Sequence, residues 1–274
     1  MESPTPELHS RPSMAACIIG DEILNGKIED TNTRYLARTC FSYGMELKRV
    51  EVVGDEFADI ADAVQRLSAR YDFVVTTGGI GPTHDDITYE AIARAFGREL
   101  KYHDETLERM DRLATNKTQL ATLDKEALSA RRRMALLPTP CRVTYLRDDF
   151  WVPLAIIDNV HIFPGVPKIF RAMLDSWFAN HLFKHAPTSP KLIPQPFVRL
   201  TIATRWPESK IAKYLTQLQE KVTTQRVKIG SYPLWQNPRA AVVITFVGTD
   251  PVLLQECADQ IKQAVEGFDW VDNE

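Results

Sequence analysis

A glycine-rich segment followed by two acidic residues is the part of this 274-residue sequence best suited to chemistry. It runs Thr76-Thr77-Gly78-Gly79-Ile80-Gly81-Pro82-Thr83-His84-Asp85-Asp86-Ile87-Thr88. Glycines let a backbone approach a ligand closely, and a helix that starts directly after them offers unpaired N–H groups to an anion. The glycine spacing matches neither the dinucleotide-fold fingerprint nor the NTPase phosphate loop. The segment therefore predicts a phosphate site of a different type.

The two acids, Asp85 and Asp86, support two interpretations. They can complement the dipole of the helix that they begin, which is worth about 0.3–1 kcal/mol for each residue. Beside a phosphate site they can also hold a Mg²⁺-like cation that bridges them to phosphate oxygens. The spacing alone leaves both interpretations open. Histidine changes charge near neutral pH, so His84 is either an acid–base group or, as we favour, an ordinary loop residue.

Polar residues also follow the first predicted strand. Asp21 and Asn25 lie in Gly20-Asp21-Glu22-Ile23-Leu24-Asn25-Gly26-Lys27, and Asn32 ends the stretch Asp30-Thr31-Asn32. If the first and third strands are neighbours, their carboxyl-end loops meet in one crevice and bring these three residues towards the glycine segment. Taken alone, such residues are common turn and cap formers. The convergence of two loops is what favours a functional role.

The chain around these loops alternates strands and helices from Met14 onward. Short connections between such elements indicate a parallel sheet covered by helices on both faces, because parallel neighbours need crossover connections. A turn is predicted at Gly20-Asp21, and the helix over residues 32–43 is expected to be capped by Thr31 or Asn32. The strands are predicted over residues 15–19, 47–53 and 73–77, and the other helices over residues 56–70 and 87–96.

The middle of the chain is less regular. Residues 104–135 have a charged helical pattern that ends in Arg131-Arg132-Arg133, which is either a phosphate clamp or, more simply, a solvated helix face. Residues 141–162 have the β-rich, turn-broken pattern of a hairpin, and a helix is predicted over residues 168–178.

Four prolines between residues 187 and 196 oppose regular structure and divide the chain. We predict an unfolded tail over residues 1–13, an α/β domain over residues 14–185, a linker over residues 186–196 and a smaller α+β domain over residues 197–274. The small domain has the order β-α-β-β-α. Its elements are predicted over residues 197–204, 208–222, 227–231, 240–247 and 251–268.

The composition is that of an ordinary globular protein, with 33 Lys and Arg against 36 Asp and Glu and 44% hydrophobic residues. This excludes a basic nucleic-acid binder and a largely disordered chain. No apolar stretch approaches the ~18 residues of a membrane helix, and residues 1–13 lack a signal or transit pattern. Four scattered cysteines indicate neither a disulfide framework nor a zinc site. We expect a soluble cytoplasmic protein, with the nucleus also open, that binds neither nucleic acid nor membrane and can form a homo-oligomer.

Several of these motifs resemble those of a known family. They are Gly20-Asp21-Glu22-Ile23-Leu24-Asn25-Gly26, Asp30-Thr31-Asn32, Gly54-Asp55, Phe163-Pro164-Gly165-Val166-Pro167 and, above all, the stretch from Thr77 to Thr88. Together they resemble the molybdopterin-binding-type domain at the N-terminus of CinA-type proteins and of eukaryotic FAD synthases. The match spans about residues 14–180. It implies a three-layer α/β/α domain with a parallel sheet.

The resemblance also implies an activity. Domains of this type in CinA-type and stand-alone fungal proteins are metal-dependent, potassium-stimulated pyrophosphatases that act on ADP-ribose or FAD. The overall plan is most similar to the stand-alone fungal FAD pyrophosphatases. It predicts hydrolysis of FAD to FMN and AMP, with ADP-ribose or NADH as further small-molecule substrates. No deamidase or adenylyltransferase domain is recognised, so nicotinamide-nucleotide deamidation and FAD synthesis are expected to be absent.

Site residues follow from the resemblance and the chemistry together. A diphosphate needs its charge neutralised and a water placed in line, which suits backbone amides and a divalent cation. Asp85 and Asp86 are the expected catalytic residues, and the cation, Mg²⁺, Mn²⁺ or Co²⁺ with K⁺ in addition, is expected on Asp86, Asp85 and Asp21. The expected phosphate contacts are Gly78, Gly79, Gly81, Thr83, Asn25, Asn32 and Lys27. Two alternatives remain: a molybdopterin adenylyl-transfer enzyme and a non-catalytic nucleotide- or pterin-binding module.

Overall fold

A computed structural model describes residues 11–114, 122–182 and 195–271 of the chain. The chain divides into two compact units, Met1–Pro194 and Gln195–Glu274. Most of the predicted linker, residues 186–194, and the first ten residues of the predicted tail lie outside the described residues. Among the helices of the described ranges, none has the length and apolar character needed to cross a lipid bilayer.

The first unit is built on a six-stranded sheet with the order β2-β1-β3-β8-β7-β6. The strands from β2 to β8 in this order are parallel, whereas β7 and β6 are antiparallel to their neighbours. The mixed α/β fold with a mostly parallel sheet is thus confirmed. In chain order, the strands are β1 (Ser13–Ile19), β2 (Glu46–Val53), β3 (Phe73–Thr77), β4 (Glu99–Tyr102), β5 (Leu136–Thr139), β6 (Arg142–Thr144), β7 (Leu154–Ile157) and β8 (Val160–Phe163).

Apolar residues of four helices form the core around this sheet: α2 (Thr31–Ser42), α3 (Phe57–Ser68), α4 (Thr88–Ala95) and α7 (Pro167–Asn180). β3 is buried along its whole length, as expected for a parallel strand with helices above and below it. Helix α2 packs with α7, and α3 packs with α4. In chain order, the helices are α1 (Asp21–Leu24), α2 (Thr31–Ser42), α3 (Phe57–Ser68), α4 (Thr88–Ala95), α5 (Asp104–Arg112), α6 (Lys125–Arg133) and α7 (Pro167–Asn180).

The structure corrects several local predictions in this unit. The cap of α2 is Asp30, whose carboxylate accepts from the Thr33 N–H (2.9 Å), and not Thr31 or Asn32. The turn predicted at Gly20-Asp21 is instead the start of the short helix α1. The charged helical pattern over residues 104–135 corresponds to helices α5 and α6 in the described part of that range. β4 and β5 pair in a small separate sheet that the pattern did not indicate. β1 starts at Ser13, inside the predicted tail, because the Ser13 N–H and hydroxyl bind the Asp72 carboxylate.

The second unit is an antiparallel sheet with two helices. Its strands are β9 (Val198–Thr204), β10 (Lys228–Pro233), β11 (Val242–Gly248) and β12 (Phe268–Asp269), in the order β10-β11-β9-β12. Its helices are α8 (Glu208–Val222) and α9 (Pro251–Ala264), which bury the apolar residues of one sheet face. The helix predicted to reach residue 268 ends at Ala264, because Gly267 turns the chain back into β12.

Candidate functional site

The predicted crevice lies where the parallel strands end. The glycine segment follows β3, the short helix α1 follows β1, Gly54-Asp55 follows β2, and Pro164 to Pro167 follow β8. Because β2, β1, β3 and β8 are parallel neighbours, all four loops lie at the same edge of the sheet. The expected adjacency of the first and third strands is confirmed. Ligands of open α/β sheets bind at this edge.

Gly78 and Gly79 turn the chain sharply out of β3. Their φ angles are +111° and +63°, a region that residues with a side chain rarely adopt. A Cβ on Gly78 would lie 2.0 Å from the Ile19 carbonyl oxygen, and one on Gly79 would lie 2.4 Å from the Thr88 hydroxyl oxygen. From the sequence, these glycines were explained by the approach of a ligand. The structure adds a different reason: the protein's own β1 backbone and α4 side chain occupy that space.

The turn after β3 carries backbone donors that the protein itself does not use. The N–H groups of Gly79, Ile80 and Gly81 find no acceptor among the residues that the structure describes. Thr88 fixes the turn, because its N–H donates to the Gly79 carbonyl (3.0 Å) and its hydroxyl donates to the Gly78 carbonyl (2.9 Å). Successive unpaired amides in a fixed turn form an anion-binding concavity.

Asn32, in the first turn of α2, joins the loops after β3 and β8. It is 7% exposed, and its side-chain amide donates to the Thr77 hydroxyl oxygen (3.1 Å) and to the Gly165 carbonyl (2.9 Å). The Thr77 hydroxyl donates in turn to the Pro164 carbonyl (2.9 Å). The buried side-chain oxygen of Asn32 has no partner in the described part of the chain, and leaving such an acceptor unpaired costs about 1–3 kcal/mol. This oxygen is therefore available to a ligand donor or to a cation.

Asp86 stabilises the turn to which it belongs. One of its carboxylate oxygens accepts from the Thr83 N–H (2.8 Å) and from the Thr83 hydroxyl. Arg133, at the end of α6, donates to the Thr83 carbonyl (3.0 Å) and to the Asp86 carbonyl (3.1 Å). Thr83 was expected to bind phosphate and Asp86 to hold a cation. In the structure their polar groups are engaged with each other.

Asp21 and Asp55 form a pair that links the ends of β1 and β2. The Asp21 N–H donates to the Asp55 carboxylate (3.0 Å), and the Asp55 N–H donates to the Asp21 carboxylate (3.4 Å). Burial raises the pKa of Asp55, and the negative charges of Asp21, Glu22 and Asp85 raise it further, against the lowering effect of the Asp21 N–H. Carboxylates from three separate loops therefore share one region of negative potential, which is typical of functional sites.

Asp85, like Asp21, is an exposed member of this group. The Thr83 hydroxyl lowers the pKa of its carboxyl, and the charges of His84 and Arg133 lower it further, so Asp85 carries its negative charge at neutral pH. The His84 side chain is almost fully exposed and lies 4.0 Å from the Asp85 carboxylate, measured from Nδ1 to Oδ1. This geometry is that of an ordinary loop histidine.

Asn25 and Lys27 belong to the end of α1. The Asn25 side-chain oxygen accepts from the Lys27 N–H (3.0 Å), and the Asn25 N–H donates to the Asp21 carbonyl (2.9 Å). Both residues are exposed. Asn25 is thus engaged as a turn former, the simpler of the two roles considered from the sequence.

The site offers only some of the side-chain ligands that a bound cation needs. The described ranges contain no group of three His, Cys, Asp or Glu side chains arranged to hold a metal ion. Mg²⁺ needs fewer protein ligands, because it is usually bound through one or two carboxylates together with substrate phosphates. Asp85 and the Asp21–Asp55 pair fit that mode. Asp86 fits it less well, because one of its carboxylate oxygens is already used by Thr83.

The sequence singled out neither Asp55 nor Arg133 as a site residue. Asp55 belongs to the motif Gly54-Asp55, which follows a strand parallel to β1. That position at the carboxyl end of a strand could have indicated Asp55 as a site residue. Arg133 is the last residue of the triplet Arg131-Arg132-Arg133, whose members make separate contacts. Arg131 binds the Asp111 carboxylate (2.7 Å), whereas Arg133 holds the glycine loop. The triplet is therefore neither a single phosphate clamp nor a purely solvated face.

Replacing Asp55 by Asn is expected to stabilise the protein at neutral pH. A carboxyl whose pKa is raised by folding destabilises the native state once it is ionised, and this cost is absent below the unfolded-state pKa. The gain in unfolding free energy should therefore be near zero at about pH 4 and reach about 0.5 kcal/mol at about pH 7, after solvent screening. Urea unfolding at both pH values measures it. An equal gain at both pH values, or a loss at neutral pH, would contradict a pKa of Asp55 raised by burial and by the neighbouring negative charges.

Comparison with family models gives a match to each unit of the chain. Residues 15–184 match the model described as "Probable molybdopterin binding domain". Residues 196–274 match the model described as "FAD synthase, middle domain". The first match covers the site and the second covers the antiparallel unit.

Individual relatives agree with both matches. A "Probable FAD synthase" of Caenorhabditis elegans is 29% identical over 276 residues, which cover 96% of this chain and 52% of that protein. A protein of Archaeoglobus fulgidus is 30% identical over 256 residues, which cover 93% of this chain and 96% of that protein. The chain thus spans about half the length of the FAD synthase relative.

A solved structure supports the fold of the first unit. The crystal structure of "the protein CinA with unknown function" from Thermoplasma acidophilum superposes with a TM-score of 0.53 at 28% identity. The match covers 62% of this chain and 98% of that chain.

Proposed function

Because the chain belongs to the family of the "Probable molybdopterin binding domain" and carries an FAD synthase middle domain after it, we propose that it is an enzyme acting on FAD-class nucleotides. The reaction is hydrolysis of the FAD diphosphate to FMN and AMP with a divalent cation. ADP-ribose and NADH, which have the same diphosphate linkage, are further candidate substrates.

The unpaired backbone amides of Gly79, Ile80 and Gly81 are the observation that carries this proposal. They lie in a turn fixed by Thr88 at the carboxyl edge of the sheet, where they can receive the oxygens of a diphosphate. The carboxylates of Asp85 and Asp55 stand at the same edge. Acids there would repel a diphosphate unless a cation lay between them, so the two features together favour a diphosphate bound with a cation.

The roles of the side chains follow from their ionisation. Asp85, whose pKa is lowered, stays negative and suits cation binding. Asp21, whose charge acts on Asp55 as that of Asp85 does, is the second candidate ligand. Asp55, whose pKa is raised, is the better proton acceptor. Asp86, Thr83 and Arg133 hold the shape of the loop. A divalent cation bound here would supply charge neutralisation at the phosphates.

Hydrolysis then balances as follows. The oxygen of a water molecule bonds to one phosphorus, and the bond from that phosphorus to the bridging oxygen breaks. The bridging oxygen leaves with the other phosphate, and the water proton passes to Asp55. The loop amides stabilise the negative charge that develops on the attacked phosphate oxygens.

The test is a substrate panel with the purified full chain. FAD, ADP-ribose and NADH are each incubated with Mg²⁺, Mn²⁺ or Co²⁺ in the presence and absence of K⁺, and FMN and AMP are separated chromatographically. We expect cation-dependent release of both products from FAD, abolished by EDTA and stimulated by K⁺. Intact substrates in every combination would overturn the proposal.

Two further incubations separate the rival activities. FMN with ATP would yield FAD if the chain were a transferase, as the name of its curated relatives allows, and molybdopterin with ATP would yield an adenylylated pterin. The remaining alternative is a non-catalytic nucleotide- or pterin-binding module. Calorimetry that showed tight FAD binding without turnover would establish that alternative instead.

A further inference from the structure

A cavity in the antiparallel unit is lined by none of the residues assigned a role above. It has a volume of about 470 Å³ and is lined by Arg205, Trp206, Pro238, Arg239, Glu266 and Phe268. Phe268 is the first residue of β12, and the other lining residues come from three loops. These are the connection from β9 to α8, the hairpin between β10 and β11, and the turn between α9 and β12. The volume is within the range of small-molecule sites, about 300–1,000 Å³.

One buried threonine ties the three loops together. The Thr204 hydroxyl donates to the Val265 carbonyl (2.7 Å) and accepts from the Trp206 N–H (3.1 Å). The Thr204 carbonyl accepts from the Ala241 N–H (2.8 Å), which anchors the hairpin. Thr204 is fully buried, so the walls of the cavity are positioned before any ligand arrives.

The charge of the cavity is positive and not internally neutralised. Arg205 and Arg239 have no ion-pair partner in the described part of the chain, although Glu266 lines the same cavity. Arg239 lies over the Trp270 ring, with its guanidinium carbon 4.6 Å from the ring centroid. A guanidinium held on an aromatic face keeps its N–H donors for an anion, and phosphate is the anion that its geometry suits best.

Aromatic rings complete the lining. Phe268 and Trp206 face the cavity, and Phe268 is braced by Trp270 at a ring-centroid distance of 6.4 Å. Trp206 is covered by Lys210, whose Nζ lies 3.2 Å from its ring centroid. Such walls favour a flat heteroaromatic ring, which gains by stacking.

We propose that this cavity binds a mononucleotide, a flat heteroaromatic ring among Trp206 and Phe268 with its phosphate on Arg205 and Arg239. Glu266 offers an acceptor to a sugar or ribityl hydroxyl. FMN and AMP both have this chemistry, and choosing them as ligands rests on the proposed function, whose products they are. The cavity shares no lining residue with the glycine loop.

Titration of the full chain with FMN tests the proposal. EDTA is present throughout, so that cation-dependent binding at the glycine loop is suppressed, and quenching of FMN fluorescence reports stacking. We expect saturable binding of FMN, and calorimetric titration with AMP decides whether the adenine nucleotide is also accepted. In the double variant Arg205→Gln, Arg239→Gln we expect FMN affinity to fall about tenfold or more, because two charge-assisted contacts are lost.

Two controls separate phosphate recognition from a general disturbance. Riboflavin lacks the phosphate and should bind the parent protein and the double variant equally. The variant Lys213→Gln removes a charge from α8 that does not line the cavity and should bind FMN like the parent. Both arginines are exposed, so the double variant should retain its fold, which circular dichroism checks.

The outcomes are distinguishable from those of the hydrolysis assay. If the parent binds neither FMN nor AMP, or if the double variant binds them as tightly as the parent, the cavity is not a mononucleotide site even where FAD is hydrolysed. If FAD stays intact but FMN binding is lost in the double variant, the cavity proposal stands while the proposed function fails.

Discussion

Gly78→Ala is expected to destabilise the first unit by about 3–5 kcal/mol, a loss in the range of the most severe single substitutions. The new Cβ would lie 2.0 Å from the Ile19 carbonyl oxygen, and the Gly78 backbone also lies close to Gly165 on its other side. Neither neighbour is a flexible side chain that could move away. The loop must therefore shift, or β1 and β3 must separate, and either change disrupts the parallel pairing on which the site is built.

Gly26→Ala is the matched control, because Gly26 also has a positive φ, +74°, but has no atom within 4 Å of the added Cβ. It should cost only the backbone strain of about 1–2 kcal/mol. Urea unfolding of both variants, followed by circular dichroism, gives the two free energies. If Gly78→Ala cost no more than Gly26→Ala, the close approach of β1 to the glycine turn would not be what requires glycine there.

The alternating fold of the first unit was readable from the sequence because its strongest signals are local. The apolar run over β3 and the glycines and acids that follow it appear in consecutive residues, and the strand bounds Phe73–Thr77 agree with the prediction. Helix α8 also agrees with its predicted bounds. In both elements the apolar residues recur with a period that the segment itself displays, so no distant residue is needed to recognise it.

The predictions that failed depend on contacts between distant segments. β4 and β5 are short and mostly polar or proline-bearing, and their pairing joins residues more than thirty positions apart, such as Leu100 and Pro138. The start of β1 at Ser13 depends in the same way on the carboxylate of Asp72. No periodicity within either segment encodes such a partner.

The site likewise combines features that the local sequence predicts with contacts between distant segments that it does not predict. The glycine loop and the meeting of two carboxyl-end loops were predictable from the strand order. The hydrogen bond from Asn32 to Gly165 joins residues 133 positions apart, and the contact of Arg133 with the loop joins residues 50 positions apart. Asn32 was expected at the start of the helix and near the glycine segment, and its place in the first turn of α2 agrees with this. The sequence did not indicate its burial, its contacts with Thr77 and Gly165 or its unpaired side-chain oxygen. Tertiary contacts decide which of several polar residues is buried.

Asp85→Asn is expected to lower the hydrolysis of FAD about 100-fold under the proposed function. The variant keeps the shape of the side chain but removes the negative charge that we assign to the cation. Because Asp85 is exposed, an Asn oxygen can still accept from the Thr83 hydroxyl, and Asp86 keeps its own contacts with Thr83, the fold of the loop should be unchanged. The affected step is charge neutralisation at the diphosphate.

Two measurements identify charge as the cause of that loss. In Asp85→Asn the pKa of Asp55 should fall towards its ordinary value, since one of the neighbouring negative charges that raise it is gone, and carboxyl chemical shifts measured against pH report this. Asp148→Asn, which removes an exposed acid from the connection between β6 and β7, is the control and should keep full activity. Higher cation concentrations should partly restore the Asp85→Asn enzyme if Asp85 is a ligand. Full activity of Asp85→Asn without added cation would remove Asp85 from the reaction and leave the backbone amides as the whole of the phosphate site.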